Sequence, residues 1–169
     1  EIGRQFGDRT AVRPQHADGF DALGERLGIG EETRAADDHG DAIRHRRPTT
    51  QVEVLISDCK GEPASLARIF DARPDVLNHN IETVARLQRA VRPSASYARS
   101  LSVLSRAAAD GLTVKSGLVL GMGETVEQRL ELLDELREVG PAEVPVNFLK
   151  PMVGTPFADR PAVEPLEAI

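Results

Sequence analysis

The sequence has 169 residues, of which 40% are hydrophobic and 28% charged, and a formal net charge of −6, which is ordinary for a globular domain with one core. The acidic balance argues against broad binding to nucleic-acid backbones, and no apolar run reaches the length of about 18 residues that a transmembrane helix needs. The single cysteine, Cys59, excludes an intrachain disulfide and any metal or cluster site built only from this chain's cysteines, and it fits a reducing compartment such as the cytoplasm.

The first part of the chain is poorly patterned. Residues 1–40 mix glycine, proline and charged residues with one short helical pattern at residues 20–27, which predicts an irregular or disordered segment. Since the chain begins with Glu1 and stops within a helical pattern, we expect a fragment of a longer protein. A short helix near residues 41–46 is expected to lead into the ordered domain, which is predicted to span residues 41–169.

Strand-like and helix-like segments alternate from residue 51 onward. The apolar, β-branched runs that predict strands are residues 52–57, 75–80, 112–121 and 143–149. The segments with helical periodicity are residues 65–72, 81–91, 96–111 and 125–140. This α/β alternation predicts four parallel strands with right-handed crossovers and helices packed on one side.

Two of these helices carry start signals. Ser96 is expected to cap the helix over residues 96–111, and Gly111 is expected to end it. Thr125 and Gln128 match a capping box at the start of the last helix. The side of that helix predicted to face the core consists of Leu130, Leu133, Leu136 and Val139.

Polar or glycine-rich residues follow each predicted strand, in the stretches SDCKG, NHNIET, GMGET and NFLKP. In parallel α/β folds, functional residues lie at the carboxyl ends of the strands. We therefore expect one shared rim that binds a small molecule.

The NHNIET stretch places Asn78 and Asn80 on one face of a strand, with Glu82 beyond them. Amides bind adenine edges, ribose or carboxylates equally well, so they do not define the ligand. His79 points to the opposite face, where a structural hydrogen bond is the favoured role. Lys115 places an ammonium inside an apolar strand, so it must either reach the rim or pair with a carboxylate.

The GLVLGMGET stretch, residues 117–125, is glycine-rich between a strand and a helix. Glycines let a backbone approach a ligand closely, and amides at a helix start favour an anion. The spacing G-x-x-x-G-x-G differs from the dinucleotide fingerprint G-x-G-x-x-G, and a tight turn without a ligand explains the pattern equally well. Asn147 is likewise either a rim residue or a buried amide bonded to backbone.

Three segments resemble the lipoyl synthases, which are radical S-adenosylmethionine enzymes, in the order and spacing of that family: TTQVEVLISDCKG, ARPDVLNHNIETVARLQRAVRPSASYARSL and TVKSGLVLGMGET. The tail EVPVNFLKPMVGTPFADRPAVEPLEAI resembles the biotin synthases instead, so the chain is composite. Lys115 favours lipoyl synthase, because biotin synthases have a cluster-binding cysteine at this position. The resemblance covers roughly residues 41–169 and implies a partial TIM-type (β/α) barrel with about four parallel strands present.

The resemblance implies sulfur insertion into a protein-bound octanoyl chain through a 5′-deoxyadenosyl radical. Its cofactors would be S-adenosylmethionine and [4Fe–4S] clusters, and its partner an octanoylated lipoyl carrier domain. The alternatives are biotin synthase activity on dethiobiotin and a non-catalytic fragment that binds a small molecule. The family's Cys-x-x-x-Cys-x-x-Cys loop and auxiliary-cluster cysteines are missing, so we expect this chain itself to be inactive, with no metal site, nucleic acid or membrane partner.

The residues that the resemblance places around the cofactor are Asn78, Asn80, Glu82, Arg92, Arg99, Lys115, Gly121, Gly123 and Glu124. The two asparagines and Glu82 would lie beside S-adenosylmethionine or the reacting chain, and the two arginines near its carboxylate or the substrate. The glycines and Glu124 would support the methionine end of the cofactor. Asn147 would face the substrate, and no residue is assigned as catalytic.

Overall fold

The computed structural model describes residues 40–163. Helix α1 (Gly40–Arg46) lies before the first strand, as predicted. The irregular segment expected over residues 1–40 falls outside the described residues except for Gly40. Within the described range, no helix is long and apolar enough to cross a membrane.

Five short strands follow: β1 (Glu53–Leu55), β2 (Val76–Asn78), β3 (Val114–Lys115), β4 (Leu118–Leu120) and β5 (Val146–Phe148). The sheet order is β1-β2-β3 for one group and β4-β5 for the other, and every pair is parallel. Isolated parallel bridges join Lys115 to Glu143 and Glu82 to Leu118, so the ladders continue between the two groups. The four predicted parallel strands are therefore present if β3 and β4 are counted as one interrupted strand. We call each of these four continuous or interrupted strands a strand line.

At residues 116 and 117, where the third line is interrupted, side chains provide part of the hydrogen bonding toward the β2 line. Ser116 Oγ accepts a hydrogen bond from the Ile81 amide at 3.2 Å, and Asn80 Oδ1 accepts one from the Gly117 amide at 2.8 Å. A Cβ at Gly117 would lie 2.8 Å from that same Asn80 oxygen. The close approach of the two strand lines thus requires glycine at this position.

The remaining helices are α2 (Pro63–Asp71), α3 (Gln88–Val91), α4 (Tyr97–Ala109) and α5 (Val126–Val139). Helix α2 begins with Pro63, and the Glu62 carboxylate accepts hydrogen bonds from the next two amides at 3.1 and 2.6 Å. Helix α5 has the predicted capping box, since Thr125 and Gln128 each bond the backbone of the other.

The helices pack on one face of the sheet and bury a single apolar cluster. Among its most buried members, each at most 2% exposed, are Leu66, Ile69, Leu77, Val103, Leu104, Val114, Leu132 and Leu136. These residues come from α2, α4 and α5 on one side and from β2 and β3 on the other. Burial of their apolar area supplies the main driving force for this packing.

The predicted helix over residues 81–91 is wrong for its first half. Glu82 adopts a left-handed φ of 67°, its amide bonds the Gly117 carbonyl, and its carbonyl accepts from the Val119 amide. The backbone here extends the β2 line instead of coiling. Regular helix is confined to α3, after a 3₁₀ turn at Ala85–Leu87.

The predicted buried side of α5 is wrong for Leu130 and Leu133 and confirmed for Leu136. Leu130 and Leu133 are 57% and 43% exposed, whereas Leu132 and Leu136 are buried. Arg129 forms an ion pair with the buried Glu124 at 3.3 Å, which is compatible with this rotation of the helix and not with the one predicted from the leucines. Periodicity of the leucines alone does not contain this polar constraint.

Ser96 occupies the N-cap position of α4, but its side chain makes no capping hydrogen bond, so that part of the prediction is wrong. Its backbone amide instead donates to Asp58 Oδ2 at 3.3 Å. Gly111 follows the end of the helix with φ of 82°, as expected for a residue that ends a helix.

Candidate functional site

Three of the predicted site residues, Asn78, Lys115 and Asn147, lie on the sheet face opposite the helices, which we call the open face. Residues on parallel strands that are paired in register point to the same side, and the side alternates along each strand. Leu55, Asn78 and Lys115 are in register across β1, β2 and β3, and Val119 is in register with Asn147. The neighbouring positions 77, 114, 118 and 120 face the helices and are buried.

A carboxylate, an amide and an ammonium meet on the open face. Lys115 Nζ donates to both carboxylate oxygens of Glu53, at 3.0 and 3.2 Å, and Asn78 Nδ2 donates to Glu53 Oε1 at 2.9 Å. Lys115 thus pairs with a carboxylate, one of the two outcomes expected for it. Glu53 was not predicted as a site residue, although its position two residues before Leu55 places it on the same face.

The carboxamide oxygen of Asn78 has no hydrogen-bond partner within residues 40–163, although Asn78 is only 9% exposed. A buried polar atom without a partner is costly, and such atoms commonly mark a place where a ligand or water supplies the missing bond. Asn78 therefore offers one acceptor to a ligand on the open face.

We predict that a Glu53→Ala substitution costs about 2 kcal/mol in the free energy of unfolding, because it leaves the partly buried Lys115 ammonium without its carboxylate. The side chains of Glu53 and Lys115 are 24% and 18% exposed, so solvent moderates the loss. Urea unfolding measures it. The Glu53→Ala, Lys115→Met double variant should recover most of the stability, and a double variant as unstable as Glu53→Ala would contradict this pairing.

Asn80 and Arg92 lie next to this cluster and stabilise the close approach of the β2 line to the β3–β4 line. Asn80 bonds the Gly117 amide, as described above, and Arg92 Nη1 donates to the Asn80 carbonyl at 2.6 Å. Two residues after Asn80, Glu82 has a left-handed backbone. Residues other than glycine that adopt this strained conformation often occur at functional sites. The expected cofactor roles of these three residues remain predictions.

The glycine-rich turn after β4 is organised by Glu124. Its carboxylate accepts hydrogen bonds from the amides of Gly121 and Met122 at 2.7 and 3.0 Å and pairs with Arg129. Glu124 is 8% exposed and therefore points into the turn. Gly121 and Gly123 have φ of 101° and 106°, which glycine adopts without strain.

The segment of residues 160–163 packs against these two glycines. A Cβ at Gly121 would lie 2.3 Å from Val163 Cγ2, and a Cβ at Gly123 would lie 2.7 Å from the Arg160 guanidinium. A cleft between the turn and this segment is lined by Arg129, Arg160 and Val126 among others. The turn is therefore a tight strand-to-helix connection with a small adjoining cleft, and its support of a cofactor's methionine end remains a prediction.

Arg99 lies away from the open face and bonds the turn after β1. Its Nε donates to Asp58 Oδ2 at 2.9 Å, and Asp58 also accepts from the amides of Lys60 and Ser96. Burial raises the pKa of Asp58, but the hydrogen bonds from Arg99, Lys60 and Ser96 outweigh it, so the pKa is lower than its ordinary value of 3.8. The pair joins the first strand end to the start of α4.

We predict that an Asp58→Asn substitution costs about 2 kcal/mol in the free energy of unfolding at neutral pH, because Arg99 loses a largely buried carboxylate partner. The folded-state pKa is below the unfolded value, so the contribution of Asp58 is fully present above the unfolded pKa. It is lost as pH falls through the folded pKa. The stability difference between wild type and variant, measured by urea unfolding, should be constant from pH 5 to pH 7, roughly, and shrink below about pH 4. A difference that grows on acidification would contradict this role.

His79 has the structural role that was favoured for it, and Cys59 is buried in a turn. His79 is fully buried and its Nδ1 lies 2.9 Å from the Ile56 carbonyl oxygen. Cys59 is 1% exposed within a 3₁₀ turn at Cys59–Gly61. Neither residue lies on the open face.

Parallel strand lines, helices on one face and polar side chains at the strand ends define a parallel α/β protein with a polar rim. The sequence profile of the radical SAM superfamily matches residues 16–136, and the chain belongs to that superfamily. A solved structure of methylornithine synthase superposes on 80% of this chain and 39% of its own length, with a TM-score of 0.66 and 18% identity, which supports the fold alone.

The chain is similar to curated lipoyl synthases, so the resemblance stated from its motifs is confirmed. The lipoyl synthase of Mycobacterium leprae (strain Br4923) is 47% identical over 111 residues, 65% of this chain and 35% of that protein. The lipoyl synthases of Nocardia farcinica and Oleidesulfovibrio alaskensis are 50% and 45% identical over 59% and 70% of this chain, and 28% and 41% of their own lengths. The chain thus spans about a third of the length of these relatives. The biotin synthase-like tail lies beyond the superfamily match and remains a prediction.

Proposed function

We propose that this chain binds S-adenosylmethionine on its open face and belongs to a lipoyl synthase-type system, which inserts sulfur into an octanoyl chain carried by a lipoyl carrier domain in the cytoplasm. The similarity to lipoyl synthases supports the reaction class. The observation that carries the binding site is the Asn78 carboxamide oxygen, buried beside the Glu53–Lys115 pair without a partner in residues 40–163.

The open face fits the polar groups of S-adenosylmethionine. An acceptor such as Asn78 Oδ1 can take a hydrogen bond from a ribose hydroxyl or an amino group. The Glu53 carboxylate holds Asn78 in place through its amide nitrogen, so the oxygen is oriented before a ligand arrives. This chain's own contribution is therefore to bind and orient the cofactor.

The residues present do not fit the reducing [4Fe–4S] cluster of such enzymes. A cluster of this kind needs several cysteine thiolates, and the sequence contains only Cys59, which is buried. We therefore assign this chain no electron transfer and no radical formation.

Isothermal titration calorimetry with S-adenosylmethionine tests the proposal. We expect Asn78→Ala to weaken binding about tenfold, since one hydrogen bond to a buried acceptor is worth roughly 1.4 kcal/mol. Ser105→Ala, on the exposed side of α4, is the matched control and should bind like wild type. No heat of binding at millimolar cofactor, or equal affinity in Asn78→Ala, would contradict the proposal.

A second titration separates the two substrate classes. An octanoylated lipoyl carrier domain should bind the purified chain together with S-adenosylmethionine, and dethiobiotin should not. Binding of dethiobiotin alone would favour the biotin synthase alternative over lipoyl synthase.

A further inference from the structure

The open face contains one side chain whose orientation decides what it offers to a ligand, the carboxamide of Asn78. A carboxamide carries an acceptor oxygen and a donor nitrogen, and a half turn about its last bond exchanges the two. Asn78 Nδ2 donates to Glu53 Oε1 at 2.9 Å, whereas Oδ1 has no hydrogen-bond partner in residues 40–163. Because a neighbour takes the nitrogen, the position that remains for a ligand is an acceptor.

Glu53 can hold this amide in only one of its two orientations. An ionised carboxylate accepts hydrogen bonds and donates none, so it faces the amide nitrogen and not the oxygen. Glu53 and Asn78 lie on the same face of the paired strands β1 and β2, two positions apart in register. Asn78 is 9% exposed, so water competes little for this bond. The chemistry of residue 53 therefore sets the orientation.

Lys115 has the opposite preference for the same amide. It is in register with Asn78 on the neighbouring strand β3, and its Nζ lies 3.0 Å from Glu53 Oε1, the oxygen that also accepts from Asn78. An ammonium donates hydrogen bonds and accepts none, so without the carboxylate it would attract the oxygen of the carboxamide. The wild-type orientation therefore requires Glu53 to bond both nitrogens.

We propose that Glu53 is a positioning residue that sets the hydrogen-bonding polarity of the open face, by keeping the Asn78 oxygen available to the ligand. Glu53 acts through Asn78 and not by contact with the ligand. The consequence is selectivity, since the face binds a group that carries an O–H or N–H and disfavours one that only accepts hydrogen bonds. The identity of the ligand, S-adenosylmethionine, rests on the proposed function, whereas the orientation of the amide rests on the hydrogen bonds alone.

The Glu53→Ala substitution should invert the amide. Lys115 then has no carboxylate partner and takes the Asn78 oxygen, so the donor nitrogen faces the ligand. We expect S-adenosylmethionine to bind about tenfold more weakly, as for Asn78→Ala, because the same hydrogen bond is lost. In the Glu53→Ala, Lys115→Met double variant, neither charge selects an orientation. About half of the molecules then keep the acceptor, and binding should weaken only about twofold.

The Glu53→Gln substitution separates orientation from stability. In the wild type a single oxygen, Oε1, accepts from both Asn78 and Lys115, and the one carboxamide oxygen of glutamine can accept the same two bonds. This variant loses the negative charge, as Glu53→Ala does, and should be less stable than wild type in urea. Its affinity should nevertheless stay within about threefold of wild type. If Glu53 only stabilised the fold, both single variants would bind alike.

Isothermal titration calorimetry measures these affinities, circular dichroism checks that each variant is folded, and Ser105→Ala on α4 is the matched control. Equal affinity of wild type and Glu53→Ala, with Asn78→Ala weakened, would overturn this proposal and leave the proposed function standing. Equal weakening in Glu53→Gln and Glu53→Ala would overturn it as well.

Nuclear magnetic resonance of the ligand-free chain tests the orientation without any binding. One of the two Asn78 Hδ2 protons should resonate downfield and exchange slowly with water, because it is bonded to the carboxylate. The slow exchange should persist in Glu53→Gln and disappear in Glu53→Ala. Hδ2 protons with the shifts and rapid exchange of an exposed asparagine in the wild type, or no response to Glu53→Ala, would overturn the proposal even if S-adenosylmethionine failed to bind.

Discussion

Anaerobic reconstitution of the purified chain with iron and sulfide is expected to yield no stoichiometric [4Fe–4S] cluster. The sequence has one cysteine, and Cys59 is 1% exposed inside a turn with left-handed backbone at residues 59–61. Iron and labile-sulfide analysis with Mössbauer spectroscopy measures the result, and S-adenosylmethionine should not be cleaved to 5′-deoxyadenosine.

The control for this result is Cys59→Ala, which should give the same background iron as wild type. A stoichiometric cluster signal that disappears in Cys59→Ala would contradict the assignment, because it would mean that copies share a cluster through this residue. Cleavage of S-adenosylmethionine by the purified chain would contradict it more strongly, since no other residue type here is expected to hold the reducing cluster.

A Leu132→Ala substitution in α5 is expected to lower the free energy of unfolding by about 3 kcal/mol, because it removes a fully packed side chain and leaves a cavity. Leu132 is 2% exposed between α5 and the sheet. Urea unfolding followed by circular dichroism measures the change.

The matched control is Leu130→Ala on the same helix. Leu130 is 57% exposed, so its substitution should cost less than about 1 kcal/mol in the free energy of unfolding. A larger loss for Leu130→Ala than for Leu132→Ala would contradict this orientation of the helix and support the one expected from leucine periodicity alone.

The alternation of strands and helices could be predicted from the sequence because it depends on local pattern. Apolar β-branched runs and amphipathic helices are visible one segment at a time. The interrupted third strand and the extended backbone at Glu82 could not, since both result from contacts between residues 80–82 and 116–119 that are distant in sequence. The rotation of α5 likewise includes a tertiary contact, the Arg129–Glu124 pair, that local periodicity does not contain.

The site was predictable to the same extent. Period-two alternation predicted that Asn78 and Asn80 share one strand face, and the conflict of an ammonium in an apolar strand predicted that Lys115 either reaches the rim or pairs with a carboxylate, of which the structure shows the pairing. The sequence did not show which carboxylate would pair with Lys115, because Glu53 lies 62 residues before it in the chain. The bond between Arg99 and Asp58 also depends on tertiary packing, so the cofactor role expected for Arg99 is untested.

Amide chemical-shift mapping with S-adenosylmethionine tests the central claim most directly. A ¹H–¹⁵N titration of the full chain should shift resonances at the strand ends, including Asn78, Asn80, Lys115 and Gly117, with the Asn78 side-chain amide among the largest changes. Amides at the opposite, N-terminal ends of the strands, such as Val52 and Thr113, should not move. Shifts confined to those N-terminal ends, or no saturable shift at millimolar cofactor, would contradict a binding rim on the open face.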